Sequence, residues 1–334
     1  LRGDEELDYY IESHMQKALD EGEFKLYYQP KIDLATDRMA SAEVLVRWLT
    51  NEGEMILPGK FIPIFEKNGF CEELDLYVFE AACRQMRAWM DAGLPPLRLS
   101  VNQTKPLFYR RDYVETLCAI AEKYAVPPSL FILEVLEGLA MANADALNAV
   151  IDQLHEKGFQ VSMDDFGSGY SSLNMLKDTN VDAIKLDMKL IDMNQQNRSK
   201  GVQIVESVVD MAHRLNLPII AEGVETPEQV SMLQAADCLY TQGYYFYKPM
   251  PVENAEALLA QPNSEDYWDM RRDLLRRDRR FPVSDSEQTA LALQAYQIFA
   301  DNVLELSLLN LSTGEYRVIK RDPRLPGAGS DTEE

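Results

Sequence analysis

The chain has 334 residues, enough to bury a large core either as one barrel-sized domain with additional segments or as two ordinary domains. Its 33 Lys and Arg residues stand against 55 Asp and Glu residues. The resulting net charge of −22 argues against general binding to nucleic-acid polymers or anionic membranes, because such binding neutralises phosphates. No run of about eighteen apolar residues occurs, so we expect no direct membrane insertion.

Residue 1 is Leu rather than Met, from which we expect a piece of a longer protein that carries other domains. The first residues do not form a charged and apolar leader, so we expect a cytoplasmic chain. It would be either free or the cytoplasmic part of a larger, even membrane-attached, protein.

The first predicted elements are a lead-in helix and two strands. Residues 4 to about 22 have helical spacing, residues 24–32 predict a strand, and a turn at 33–37 leads to a second strand at about 39–48. Helices and strands then alternate. The later predicted helices are 58–69, 74–93, 113–124, 143–157, about 202–215, and one beginning at Thr226. The later predicted strands are 97–101, 130–136, one from 159 that runs into Asp164, 183–187, 218–221 and one near 242–247.

Strands that alternate with helices predict parallel pairing through crossover helices. Eight strands with polar residues at their C-terminal ends predict an α/β fold, a TIM-like (β/α)₈ barrel. A doubly wound open sheet is the alternative, but it would normally have a glycine-rich phosphate turn after its first strand, and this chain has none. The connection from Ile32 to Met39 is too short for a crossover helix, so the first two strands should be antiparallel neighbours.

The pattern changes after Pro262, where we predict a C-terminal helical and hairpin extension. An arginine-rich helix at 266–280 is more typical of a solvated helix with internal ion pairs than of a nucleic-acid patch. A second helix at 286–304 precedes a predicted hairpin of 305–310 and 315–320, and residues 325–334 are expected to be disordered. The predicted domains are a lead-in helix at 1–22, a barrel at 23–258, and a linker with hairpin at 259–334, which could also begin a further domain.

The histidines and cysteines restrict the chemistry. All three histidines fall in predicted helices, which disfavours His-rich zinc sites and Ser-His-Asp catalysis. The four cysteines are scattered without a CxxC pair, and we expect buried reduced thiols. Oxygen ligands remain, and these suit Mg²⁺, Mn²⁺ or Ca²⁺.

Two adjacent carboxylates, Asp164 and Asp165, stand at the end of an apolar strand before a loop that contains Gly167 and Gly169. Neighbouring anions repel each other and are costly to desolvate, so at a strand end they are usually held by cations, hydrogen bonds or open water. A solvated acidic turn remains open as an alternative when this string is considered by itself.

Other polar residues at strand ends favour a functional site over a solvated turn. In a closed barrel, residues of seven strands would meet at one mouth: Glu43, Asn102, Glu134, Asp164, Asp165, Lys185, Glu222 and Gln242. Five carboxylates in one pocket would repel one another strongly unless cations were bound. Two divalent ions about 3.5–4 Å apart would resolve this, and such a pair stabilises the attacking and leaving oxygens in phosphoester hydrolysis. Lys185 would be the one cation positioned to orient an attacking water.

Residues 23 to about 258 resemble the EAL-domain cyclic-di-GMP phosphodiesterase family in the order and spacing of several motifs. These are Gln29-Pro30, Glu43-Val-Leu45-Val-Arg47-Trp48, Ser100-Val-Asn102, Leu133-Glu134-Val-Leu-Glu137, Asp164-Asp-Phe-Gly-Ser-Gly-Tyr-Ser-Ser172, Ile184-Lys185-Leu-Asp187, Ala221-Glu-Gly-Val-Glu225 and Gln242-Gly-Tyr-Tyr-Phe. The resemblance implies hydrolysis of cyclic di-GMP to linear pGpG with two divalent ions, Mg²⁺ or Mn²⁺, and Ca²⁺ is expected to inhibit. A homodimer is a further expectation.

The resemblance also implies roles for individual residues. The first metal would be held by Glu43, Asn102, Glu134 and Asp164. Asp164 would bridge to a second ion held by Asp165 and, through water, Glu222. Lys185 would hold the nucleophilic water with Gln242 close by, and Glu137 would anchor the loop from Phe166 to Leu173. Substrate contacts are assigned to Gln29, for a base or ribose, and to Leu45, Arg47, Asp187 and Glu225.

The chain departs from the family pattern at Val44, where the family has Ala. Strand alternation places residue 44 on the face away from Glu43, so we expect an effect on packing and an intact ligand set. Two other functions stay open: a receptor that binds the dinucleotide without cleaving it, and a metal-independent barrel that acts on another phosphorylated metabolite.

Overall fold

The structure is a computed structural model that describes residues 4–166, 176, 178–188, 198–260, 305–309 and 316–321. The chain divides into two units, Leu1–Trp268 and Asp269–Glu334. The helices described in these ranges include none that is long and apolar enough to cross a membrane.

The first unit contains a closed eight-stranded barrel, as predicted. Its strands are β1 (Phe24–Asp33), β2 (Arg38–Leu49), β4 (Leu99–Gln103), β5 (Phe131–Leu136), β6 (Gln160–Phe166), β7 (Ala183–Asp187), β8 (Ile219–Glu222) and β9 (Tyr240–Thr241). They pair in the order β1-β9-β8-β7-β6-β5-β4-β2, and β1 pairs with β2 to close the ring. β1 is antiparallel to both of its neighbours and the other pairs are parallel. A short strand that was not predicted, β3 (Met55–Ile56), pairs antiparallel with the C-terminal end of β2.

Helices precede the barrel strands, connect the parallel ones and follow the last strand. Their bounds are α1 (Asp4–Asp20), α2 (Pro58–Asn68), α3 (Cys71–Asp91), α4 (Lys105–Phe108), α5 (Tyr113–Lys123), α6 (Glu137–Ala142), α7 (Ala144–Lys157), α8 (Arg198–Arg214), α9 (Pro227–Ala235) and α10 (Val252–Leu259). Side-chain hydrogen bonds cap the N-terminal ends of two of these helices. The Asn143 side chain accepts a hydrogen bond from the Ala146 N–H at the start of α7, and Thr226 with Gln229 forms a capping box at α9. The short helices α4, α6 and α10 were not predicted.

The last barrel strand was predicted wrongly. We expected it near 242–247, but β9 consists of Tyr240 and Thr241, and Gln242 follows it. The N–H groups of Phe246 and Tyr247 both donate to the Gly243 carbonyl at 3.1 Å, so this aromatic segment turns back on itself instead of pairing with a neighbouring strand. Its apolar character resembles that of a strand, but its hydrogen bonds are those of a turn.

The core lies between the outer face of the barrel and the surrounding helices. Val44 is buried there, so the predicted packing role of this residue is confirmed. All four cysteines are free, and three of them are buried. The three histidines lie in α1, α7 and α8, as expected.

In the second unit, β10 (Glu305–Leu309) pairs antiparallel with β11 (Tyr316–Arg321), which confirms the predicted hairpin. The predicted helices at 266–280 and 286–304, the tail at 325–334 and most of the loop at 166–173 lie outside the described residues.

Candidate active site

Four carboxylates from four strands surround one buried lysine at the C-terminal mouth of the barrel. Lys185 on β7 is 1% exposed. Its Nζ atom lies 2.5 Å from Glu134 Oε2, 2.7 Å from Glu222 Oε1, 3.1 Å from Asp164 Oδ1 and 3.4 Å from Glu43 Oε2. Parallel pairing brings the C-terminal ends of these strands to one mouth, with Asn102 opposite Glu134 and Asp187 opposite Glu222. We call Lys185 and these four carboxylates the acidic cluster.

Amide groups contact both oxygens of Glu43, and one of these oxygens also contacts Lys185. Asn102 Nδ2 donates to Glu43 Oε1 at 3.0 Å, and Gln242 Nε2 donates to Glu43 Oε2 at 2.8 Å. Gln242 Nε2 also donates to Gln29 Oε1 at 2.9 Å, and Gln29 Nε2 donates to the Tyr247 carbonyl at 3.0 Å. Both oxygens of Glu43 are therefore oriented by residues that the sequence predicted to lie at this mouth.

Glu134 is held by a second lysine that the sequence analysis missed. Lys31 Nζ donates to Glu134 Oε1 at 2.6 Å and to Ser100 Oγ at 2.7 Å. A usable signal was present, because Gln29 and Lys31 are two residues apart on β1 and such residues share one face of a strand.

The charges in the acidic cluster perturb one another. Burial would raise the pKa of Glu134, but Lys185 and Lys31 outweigh it and lower this pKa to about 2. Burial raises the pKa of Glu222 to about 8 against the opposing effect of Lys185, and the neighbouring carboxylates add to the rise. Burial also raises the pKa of Asp164. For Lys185, the four carboxylates outweigh burial and raise its pKa well above the usual value, so the ammonium stays charged.

The backbone at Asp164 and Asp165 departs from regular strand geometry. Asp165 has a φ of 55°, in the left-handed region that non-glycine residues seldom adopt, and its N–H donates to Asp164 Oδ1 at 2.9 Å. The pairing of β6 with β7 shifts register between Met163 and Phe166. A bulge interrupts the strict alternation of side chains, so two consecutive carboxylates can both lie near the mouth, where both are partly buried.

The remaining predicted residues lie around this centre. Leu45 and Arg47 are partly buried further along β2, and the Arg47 guanidinium lies 5.7 Å from the centre of the Tyr27 ring. Asp187 ends β7 opposite Glu222 in the registry, and Glu137 is buried as the first residue of α6.

Glu225 is the most peripheral of the predicted residues. It is exposed, and its N–H donates to Gln229 Oε1 at 2.7 Å. In the described part of the chain, neither Arg47 nor Glu225 takes part in the ion pairs around Lys185.

The donor set fits a hard divalent cation in its chemistry. Carboxylate and amide oxygens with an excess of negative charge are the ligands that Mg²⁺ and Mn²⁺ prefer. Within the described ranges, no group of three Asp, Glu, His or Cys side chains has the geometry of a metal site. Instead, the ammonium of Lys185 lies among the carboxylates and supplies the positive charge.

Comparisons with known proteins give one family. A family model described as the EAL domain matches residues 12–249. The signaling protein YkoW of Bacillus subtilis is 34% identical over 251 residues, which are 75% of this chain and 31% of that protein. The cyclic di-GMP phosphodiesterase NbdA of Pseudomonas aeruginosa is 34% identical over 259 residues, which are 78% of this chain and 33% of that protein.

A solved structure agrees with these sequence relatives. The structure of the PaMucR phosphodiesterase in complex with c-di-GMP is 35% identical with a TM-score of 0.69, and the match covers 74% of this chain and 99% of that one. The chain spans only about a third of the length of the two curated relatives above.

Proposed function

The chain belongs to the EAL-domain family of cyclic di-GMP phosphodiesterases, and from this we propose that it hydrolyses cyclic di-GMP to linear pGpG with two divalent ions, Mg²⁺ or Mn²⁺. The observation that carries the proposal is the acidic cluster, in which four carboxylates from separate strands lie within 3.4 Å of one buried ammonium. A site that collects this much negative charge in a buried position needs cations to remain stable.

The metal-binding residues would be those that the sequence indicated. Glu43, Asn102, Glu134 and Asp164 would hold one ion, and Asp164, Asp165 and Glu222 would hold the other. Bound divalent ions would lower the pKa of a water molecule and stabilise the charge that develops on the phosphoryl oxygens.

The protein's own residues would orient the reactants. Asn102 and Gln242 fix both oxygens of Glu43, which sets the direction in which this carboxylate presents its lone pairs. Lys185 has three N–H donors, and once bound ions take its place among the carboxylates it would hold a water molecule by donating to its oxygen. Glu137 would steady the loop that follows Asp165.

Binding a dianionic dinucleotide to a chain of charge −22 requires local positive charge. Arg47 on β2 and Lys248 after β9 can supply it. Two aromatic rings accompany them, because Arg47 lies over the Tyr27 ring and Lys248 Nζ lies 5.5 Å from the centre of the Tyr244 ring. Tyr244 is 57% exposed and offers a flat apolar face to a guanine base.

Turnover by the purified chain tests the proposal. Cyclic di-GMP is incubated with Mg²⁺ or Mn²⁺, and products are separated by chromatography. We expect pGpG, its loss on addition of EDTA, and a fall of more than about 100-fold in rate for Glu43→Gln, since changes even to the partners of metal ligands typically cost about 10–100-fold. Glu54→Gln, at an exposed position beyond β2, is the matched control and should retain the wild-type rate.

Two outcomes would contradict the proposal. Binding of cyclic di-GMP without any pGpG would indicate a receptor, and turnover that persists in EDTA would indicate metal-independent chemistry.

A further inference from the structure

We infer that Lys31 is a positioning residue that fixes the carboxylate of Glu134 for metal binding, an inference that rests on the proposed metal-dependent function. Lys31 reaches Glu134 across the barrel interior, from β1 to β5. Lys31 is not among the residues proposed to contact the substrate or the metal ions.

The two lysines contact different oxygens of the Glu134 carboxylate. Glu134 is 1% exposed, and each of its oxygens contacts a different ammonium: Oε1 that of Lys31 at 2.6 Å, and Oε2 that of Lys185 at 2.5 Å. Both lysines are also about 1% exposed, so water does not compete for these contacts. The carboxylate is therefore held at both ends and has little freedom to rotate.

The two lysines differ in what else they contact. Lys185 is shared among four carboxylates, whereas Lys31 contacts one carboxylate and the neutral hydroxyl of Ser100. A divalent ion that enters the acidic cluster repels the ammonium of Lys185, which lies among the same oxygens. Lys31 holds the opposite oxygen and can remain in place, so Oε2 of Glu134 stays directed toward the cluster.

Lys31 also carries a positive charge, which by itself would weaken the binding of a cation. The Glu134 carboxylate lies between Lys31 and the other carboxylates, so its negative charge offsets that repulsion. Without Lys31, a buried carboxylate would lose one of its two ionic partners and would be free to turn away from the cluster. We expect this loss of orientation to outweigh the relief of repulsion.

Metal binding without nucleotide tests the inference separately from turnover. Mn²⁺ is titrated into wild type, Lys31→Met and the control Lys25→Met, which changes an exposed lysine on the same strand. The Kd for Mn²⁺ should rise about 10–100-fold in Lys31→Met, the range typical of outer partners of metal ligands, and should not change in Lys25→Met. Thermal unfolding without metal records any structural cost of each change, which would not by itself weaken Mn²⁺ binding to the folded fraction.

A second variant covers the case in which Lys31→Met does not fold. Ser100→Ala removes the other group that holds the ammonium, and it should raise the Kd for Mn²⁺ by a smaller factor in the same direction. An unchanged or tighter Kd in Lys31→Met overturns the inference; if that variant does not fold, an unchanged Kd in Ser100→Ala overturns it.

The possible failures can be told apart. If wild type binds Mn²⁺ but forms no pGpG, the proposed hydrolysis is wrong and the Mn²⁺ comparison still decides the role of Lys31. If pGpG forms and Lys31→Met binds Mn²⁺ normally, only the role of Lys31 is wrong. If wild type binds no Mn²⁺, both are wrong.

Discussion

Replacing Lys185 by Met should destabilise the metal-free protein. The ammonium of Lys185 lies within 3.4 Å of four carboxylates and is 1% exposed. Met has a similar length and no charge, so the substitution keeps most of the packing while removing the cation. Glu134 would keep Lys31 as a partner. The other three carboxylates would lose the contact that balances their charge.

The size of the effect follows from this burial. Removing one partner of a buried ion pair costs about 3–5 kcal/mol, because it leaves an uncompensated charge. For a unit of the size of Leu1–Trp268, each kcal/mol corresponds to about 2–4 °C in melting temperature. Multiplying these two ranges predicts that the melting temperature of Lys185→Met falls by about 6–20 °C. The exposed ion pair of Lys17 with Glu21 gives a matched control, because Lys17→Met should cost no more than about 1 kcal/mol.

The fall in the melting temperature of Lys185→Met should depend on pH and on bound Mn²⁺. The raised pKa values of Glu222 and Asp164 mean that these groups take up protons more readily than usual, which reduces the uncompensated charge as the pH falls. Lys185→Met should therefore lose more stability at pH 8 than at pH 6, and Mn²⁺ should restore part of the loss by supplying positive charge.

Thermal unfolding followed by circular dichroism measures both effects. A variant that melts within about 2 °C of wild type at pH 8, a shift worth no more than about 1 kcal/mol, would refute the view that Lys185 balances the acidic cluster. A loss that Mn²⁺ does not reduce would refute the view that the cluster accepts divalent ions.

Three other substitutions test separate parts of the structure. Burial raises the pKa of Asp75 to about 7, although the hydrogen bond from the Thr104 N–H opposes this rise. Between about pH 4 and pH 7 the native state therefore binds more protons than the unfolded state. The stability of the protein should fall as the pH rises through that window. Asp75→Asn keeps a side-chain oxygen that accepts this hydrogen bond. Its melting temperature should exceed that of wild type above pH 7 and equal it near pH 4. A difference in melting temperature that does not depend on pH would count against a raised pKa for Asp75. A Cβ at Gly243 would overlap the backbone oxygen and nitrogen of Val224, so Gly243→Ala should cost about 1–3 kcal/mol and shift Gln242. Wild-type melting and turnover would disprove the close approach. Glu137→Ala should weaken Mn²⁺ occupancy through disorder of the loop from Phe166 to Leu173, so that turnover needs a higher Mn²⁺ concentration. An unchanged Mn²⁺ dependence would argue against its anchoring role.

Most of the barrel could be predicted from local patterns in the sequence. The alternation of strands and helices predicts the parallel pairs, and the short connection from Ile32 to Met39 predicts the antiparallel first strand, because both depend only on connection length and hydrophobic period. The convergence of Glu43, Glu134 and Asp164 follows in turn, since residues at the C-terminal ends of barrel strands share one mouth.

Other features depend on contacts between distant segments. The segment after Gln242 has the composition of a strand, but the close approach of Gly243 to Val224 accompanies a turn instead. The left-handed backbone of Asp165 belongs to a register shift between β6 and β7, which the order of residues in one strand does not encode. Lys31 contacts residues 69 and 103 positions away in the chain, so its partners depend on the closed barrel.

We expect the acidic cluster to hold divalent ions in place of the Lys185 ammonium. The decisive measurement is a crystal grown with Mn²⁺ and recorded at the manganese absorption edge. Two anomalous peaks should appear among Glu43, Glu134, Asp164 and Glu222, with the Lys185 ammonium moved away from the centre. A map without peaks there, with Lys185 still surrounded by the four carboxylates, would contradict it.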